Sequence, residues 1–203
     1  MSAAVAASMR RGRVPWRALG LVPCVLLLIV GLGLVGQGAI IPVKAVLAQA
    51  LLDRAFSRSL STHAPVKAWP WADSAPIARI TVPRLNVSEI VLSGGSGEAM
   101  AFGPTLMPGS AGPGGRGTAV FAAHRDTHFR FLKDLQPGDV VVIEDIGGGR
   151  VSYRVSGGQV VRHDRFGIDR HAVIPTIALT TCWPFESDRR GPWRYVVTAR
   201  RIA

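Results

Sequence analysis

The stretch ALGLVPCVLLLIVGLGLVGQGAIIPV, residues 18–43, contains no charged side chain. Its twenty-six residues exceed the roughly 20 that a helix needs to cross a hydrocarbon core, and glycine is tolerated inside such helices. Arg10, Arg11, Arg13 and Arg17 precede it without an acid, and only Lys44 follows closely. A basic flank of this kind stays on the cytoplasmic side, so the rest of the chain is expected beyond the membrane. Ala48-Gln49-Ala50 has the small-x-small form of a signal-peptide cleavage site. It lies well past an apolar run already longer than a signal peptide's, which favours an uncleaved single-pass anchor. Cys24 follows Val22-Pro23 rather than small residues and reads as membrane packing, not as a lipid attachment point.

The formal net charge of +11 points to no nucleic-acid partner. The four arginines before the span supply +4, and the remaining +7 is spread thinly over the chain. It forms neither a Lys/Arg block nor an interleaving of basic and aromatic residues, which a nucleic-acid footprint would need.

The 203 residues suffice for one domain with additions. We read a basic cytoplasmic tail at 1–17, the anchor at 18–43, a stalk helix with linker at 44–76 and a folded domain at 77–203. In KAVLAQALLDRAFSRSLST, Val46, Ala50, Leu51, Phe56 and Leu60 recur among polar residues, as in an amphipathic helix. Whether that face packs on the domain is left open. HAPVKAWPWADSAP then reads as a linker wrapping onto the domain. From Ala78 the chain becomes short strands with turn punctuation: ARITVP, EIVL, TAVFAAH, DVVVIED, RVSYRVS, GQVVRH, HAVIPTIALTTC and WRYVVTARR. A Gly/Pro-rich stretch from Gly94 to Gly117 reads as a loop with local structure, and HFRFLKDL as a short helix. Many short strands with little helix predict an all-β domain built as a closed or nearly closed barrel.

Within it lies LTTCWPF, carrying Cys182. The only other cysteine, Cys24, falls in the membrane, so no intramolecular disulfide is expected. An unpaired thiol in an oxidising compartment is a liability unless its reactivity is used. Strands alternate faces with period two. Thr176, Ala178, Thr180 and Cys182 therefore share the more polar face of their strand. His124 shares a face with Thr118, Val120 and Ala122, and Arg194 lies opposite Trp193 and Tyr195. His124, Cys182 and Arg194 thus each fall on the less apolar register, which permits a shared groove. The trio has a definite chemistry: a thiolate nucleophile, an imidazole that protonates a leaving amine, and a guanidinium that hydrogen-bonds an oxyanion. It suits acyl transfer through a thioester.

FAAHRDTHF, LTTCWPF and RYVVTAR, in this order behind a membrane anchor, resemble the three catalytic segments of sortases, the membrane-anchored cysteine transpeptidases. Leu179-Thr180-Thr181-Cys182 matches the last four positions of that family's Thr-Leu-x-Thr-Cys motif, with Ala178 where the first threonine is expected. WPWADSAPIARI, HRDTHFRFL and TCWPF are most similar to the class GN sortases of Gram-negative bacteria. The resemblance, which covers residues 69–203, implies an eight-stranded β-barrel on the periplasmic side of the inner membrane. It implies a donor protein with an LPxTG-like C-terminal sorting signal, cleaved between Thr and Gly, and an amine acceptor. By position it makes Cys182 the nucleophile, His124 the general acid and Arg194 the oxyanion or substrate-positioning arginine, with Arg189, Arg190 and Arg200 competing for the last role. Thr180, Thr181 and Trp183 are the candidate substrate-binding residues.

No cofactor and no metal site is expected. His124 and His128 lack a third ligand, Glu144-Asp145 alone is weak as a calcium site, and the 109–117 loop lacks the Lys-Ser/Thr of a phosphate-binding loop. Two alternatives stand beside this reading. L,D-transpeptidases of peptidoglycan also use Cys and His, but with glycine just before the cysteine, where this chain has Thr181. A membrane-tethered β-domain that binds a partner without catalysis would leave Cys182 buried and inert.

Overall fold

The computed structural model describes residues 16–187, 189 and 191–202; residues 1–15 of the expected basic tail, and Arg190, lie outside them. The chain divides into two compact units, Met1–Ala45 and Val46–Ala203. A long helix, α1 (Trp16–Thr62), contributes its first part to one and its last part to the other. In the first unit Leu27, Leu28, Leu32 and Leu34 are each more than half exposed. Such a run is stable only against an apolar solvent. Among the described residues α1 is the one helix long and apolar enough to cross a membrane.

The second unit is an eight-stranded closed barrel. Its strands are β1 (Pro76–Val82), β2 (Val87–Leu92), β3 (Thr105–Leu106), β4 (Thr118–Ala122), β5 (Val140–Asp145), β6 (Arg150–Arg162), β7 (Thr176–Cys182) and β8 (Trp193–Arg201). They run in the order β1-β2-β3-β4-β7-β8-β6-β5, and β5 pairs back onto β1. The β2–β3 and β4–β7 pairs are parallel and the others antiparallel. Period-two alternation sends Ala78, Ile80 and Val82 of β1 inward, with Ile177 and Leu179 of β7 and Val197 and Ala199 of β8.

Three features differ from the sequence expectation. RVSYRVS and GQVVRH form one continuous β6, because a bulge between Val155 and Gly157 lets its ladder with β8 carry on. The first residues of HAVIPTIALTTC are not strand; β7 starts at Thr176, just after Pro175, which has no amide hydrogen to give a ladder. The Gly/Pro-rich stretch hides β3, whose two residues bridge β2 and β4 but are too few to show a period.

The run Ile90-Val91-Leu92 breaks alternation because both faces of β2 are covered. Val91 points into the barrel, while Ile90 and Leu92 pack under α1 with Leu52 and Phe56. The face of the stalk helix packed on the domain is Ala48, Leu52, Ala55, Phe56 and Ser59; of the residues read from sequence as its apolar face, Phe56 is buried, Leu51 and Leu60 are half-buried, and Val46 and Ala50 are exposed. Arg79 lies 4.8 Å over the Phe56 ring and pairs with Asp53 at 2.9 Å. Gln49 Nε2 donates to the Phe102 carbonyl at 2.8 Å.

Phe56 is fully buried, so Phe56→Ala is expected to lower the unfolding free energy of the full chain by about 3–5 kcal/mol. Asp53→Asn, at the exposed end of the same contact, is expected to lower it by about 1 kcal/mol or less. Denaturant titration of both variants checks the contrast; equal effects would place the anchorage in the ion pair instead.

Candidate active site

The site is built on β7, which is paired along both edges. On one side the parallel ladder with β4 sets Ala122 opposite Thr180, and Ala123 N donates to the Thr180 carbonyl at 3.3 Å. Two residues past the end of β4, His124 thus comes level with Cys182. On the other side the antiparallel ladder with β8 sets Cys182 directly opposite Arg194. Residues facing one another in such a ladder have Cβ atoms about 4.5–5.5 Å apart. All three side chains line one groove of about 530 Å³, together with Thr180 and Thr181. Cys182 and Arg194 are half-buried and His124 is exposed.

Thr181 has a different task from its neighbour. Its side chain is buried, and Oγ1 donates to the Ala123 carbonyl at 2.8 Å, so it ties down the residue just before His124. Trp183 does not line the groove. It stacks on Tyr195 with ring centroids 5.7 Å apart and meets Phe185 edge-on at 5.6 Å. Ala178 lies on the groove face of β7 but farther along it, and is buried.

The competing arginines occupy different places. Arg194 donates from Nη1 to the carbonyls of Gly191 and Trp193, each at 2.8 Å. Arg200 faces Thr176, six residues along β7 from the thiol, a distance of about 20 Å. Arg189 is exposed, and its carbonyl accepts from Nη2 of the buried Arg125 at 2.9 Å. That bond joins the turn after His124 to the segment after Cys182.

The walls of the groove escaped sequence reading. Met100, Met107, Pro108, Val161, Phe166 and Ile168 all line it. His163 is exposed yet lines the groove as well. Most of these residues sit in connections, where no periodicity marks which way a side chain faces; apolar Phe166 and Ile168 in a polar loop were the available signal.

His128 stands outside the groove, in a separate pocket with Glu89. Its Nδ1 lies 2.7 Å from Glu89 Oε2, while Phe129 N donates to the His124 carbonyl at 3.0 Å. The His124–Phe129 turn is thereby pinned to β2. Burial, the largest single influence, lowers the His128 pKa. The hydrogen bond to Glu89, its charge and a backbone contact with Ala101 together outweigh it, so the pKa lies above the ordinary histidine value.

The fold and groove define a mixed β-barrel in which a free cysteine, Cys182, shares one groove with His124 and Arg194. The Sortase domain family model matches residues 80–202. Sortase D of Bacillus subtilis (strain 168) is 26% identical over 124 residues, spanning 61% of this chain and 62% of that relative, less than two thirds of its length. Among solved structures, sortase C1 of Streptococcus agalactiae is 27% identical with a TM-score of 0.56, covering 63% of this chain and 67% of that one. Sortase A from Corynebacterium diphtheriae, 21% identical, shares the fold with a TM-score of 0.59 over 78% of this chain and 85% of its own. The chain belongs to the sortase family. That membership displaces the L,D-transpeptidase alternative.

Thr181→Val keeps the shape but strands the Ala123 carbonyl. It is expected to cost about 1–3 kcal/mol and to speed hydrogen exchange across residues 123–129, with Thr181→Ser close to the parent. Unchanged exchange would dissociate Thr181 from the His124 turn. The His128–Glu89 pair also has a pH signature. With the folded pKa raised, its stabilisation is complete below about pH 6.5 and is lost as pH rises through the raised value. The stability gap between the protein and Glu89→Gln is therefore expected to be widest near pH 5–6 and to narrow above, in thermal unfolding from pH 5 to 9. A gap independent of pH would contradict it.

Proposed function

We propose that this chain is a single-pass sortase of the inner membrane, akin to class GN, with a cytoplasmic tail at 1–17, an anchor at 18–43, a stalk and linker at 44–76 and a periplasmic catalytic domain at 77–203. It acts as a cysteine transpeptidase on a donor protein ending in an LPxTG-like sorting signal. The observation that carries this reading is that His124, just past the end of β4, lines one groove with Cys182 of β7 and Arg194 of β8, which face one another in their ladder.

The chemistry follows from that arrangement. Cys182 Sγ attacks the threonine carbonyl carbon, and the carbonyl oxygen becomes an oxyanion. Nη1 of Arg194 is engaged by backbone carbonyls, which orients the fork so that its other donors meet that oxyanion. His124 takes the thiol proton as sulfur attacks and passes it to the departing glycine nitrogen as the Thr-Gly bond breaks. A thioester remains. An incoming amine then attacks the same carbonyl, His124 takes up its proton, and the sulfur leaves to restore the resting pair.

The test is mass spectrometry of the full chain in detergent, incubated with a Leu-Pro-Ala-Thr-Gly peptide. A thioester on Cys182 and release of the glycine fragment are expected. Cys182→Ala is expected to abolish both, and His124→Ala to eliminate transfer to amines. Arg194→Lys is expected to lower kcat by about 100-fold or more, because charge is kept but fork geometry is lost. Retained cleavage in Cys182→Ala would remove the nucleophile, and a near-neutral Arg194→Lys would move the oxyanion role elsewhere.

A further inference from the structure

The face that carries the reactive row does not end at the thiol. Beyond Cys182 and Thr180, β7 continues on the same side with Ala178 and Thr176; beyond Arg194 and Val196, β8 continues with Thr198 and Arg200. These later positions line a second pocket of about 510 Å³. Phe166 and Ile168 line both it and the groove of the thiol. The two spaces are therefore consecutive compartments of one cleft, divided by those two side chains.

The segment 163–175 roofs the second compartment, and it is tied down. Thr118 Oγ1 donates to the Asp169 carbonyl at 2.8 Å. Gly117 N donates to the Ala172 carbonyl at 2.9 Å, and Thr176 N donates to the Gly117 carbonyl at 3.0 Å. Gly117 has φ of +97°, and a Cβ there would collide with the Arg170 carbonyl, so only glycine lets the roof come this close. A compartment formed in advance does not have to be ordered by its occupant.

Its lining says what it would take. Ala178 gives a small apolar floor, at the position where the cysteine motif departs from Thr-Leu-x-Thr-Cys. Val173 and Ile174 remain 76% and 54% exposed at its edge. Arg200 takes part in no ion pair among the described residues. Asp169 is also present, but its Oδ1 accepts from the His171 amide at 2.9 Å.

We propose that this second compartment is an extended donor subsite, which holds the polypeptide just upstream of the sorting signal and selects an aliphatic side chain followed outward by a carboxylate. The proposal rests on the transpeptidase reading. In that chemistry the downstream fragment must leave and an amine must enter before the thioester is resolved, whereas the upstream acyl portion stays bound through both steps. A roofed cleft suits the portion that stays. Ala178 and Thr176 lie four and six residues from Cys182 along β7, about 13 and 20 Å at about 3.3 Å per residue. The four retained residues of the signal span the first compartment, so the next two reach the second. The fifth residue upstream of the cut lies over Ala178 beside Val173, and the sixth lies beside Arg200.

The test compares three peptides with the full chain in detergent. One is Leu-Pro-Ala-Thr-Gly alone, one carries Glu-Val before the leucine, and one carries Lys-Val. The Glu-Val extension is expected to raise kcat/KM about tenfold over the core peptide, chiefly through KM. Replacing its Glu by Lys is expected to remove about fivefold. Arg200→Glu is expected to reverse the Glu-over-Lys order, and Val173→Ser, on the exposed roof, to shrink the gain from extension in both. Each readout is a ratio between peptides on one protein, so partial loss of folded enzyme does not mimic it. Equal kcat/KM for all three peptides, with the thioester formed, overturns the subsite and leaves the transpeptidase reading intact. No thioester from any peptide overturns both.

Discussion

The site depends on the double pairing of β7. A strand hydrogen-bonded on both edges can slip only by breaking two ladders, and a slip of one residue would exchange its faces. Here the exchange would turn Cys182 into the barrel and Thr181 out of it. Burial forbids that, because Ile177 and Leu179 are fully enclosed in the core. The apolar half of β7 thus fixes the position of its polar half, and β4 and β8 take their registers from the same strand. The pairing of Cys182 with Arg194 at one groove is a by-product of hydrophobic packing on the opposite face.

Of His124, Cys182 and Arg194, His124 alone lies beyond the end of its strand, and the turn that carries it is held at separate points. The Thr181 hydroxyl grips the Ala123 carbonyl, Arg125 reaches the Arg189 carbonyl, and His128 meets Glu89 of β2. Of these residues only Thr181 and Ala123 line the thiol groove. They act on geometry. The resemblance marked Thr181 as a substrate-binding candidate, whereas its hydroxyl is spent within the protein.

Strands with one buried face were legible because their alternation survives in the sequence, as in Ala78-Ile80-Val82. The register reading placed Cys182 on β7 and Arg194 on β8 in this way, whereas His124, read as part of a strand, lies two residues beyond the end of β4. What could not be read depends on partners distant in the chain. Ile90 and Leu92 are buried by a helix that begins far upstream, β3 exists only because β2 and β4 flank it, and the unity of β6 rests on a bulge that β8 tolerates. The groove walls were hidden because loop side chains take their direction from tertiary ties rather than from period. Trp183 sits next to Cys182 in sequence, yet an aromatic cluster with Phe185 and Tyr195 draws it away from the groove.

The roof is held by main chain more than by side chain. Its ties to Thr118 and Gly117 end on the carbonyls of Asp169 and Ala172, which every amino acid possesses. Replacing the residues themselves therefore leaves the fastening in place, while the surface shown to a polypeptide changes with each exchange. In the proposed subsite, variation between 163 and 174, whether drift in nature or a library at the bench, would retune which chains are accepted without disturbing the sheet that carries Cys182. Partner choice and reactivity would in this way be heritable separately.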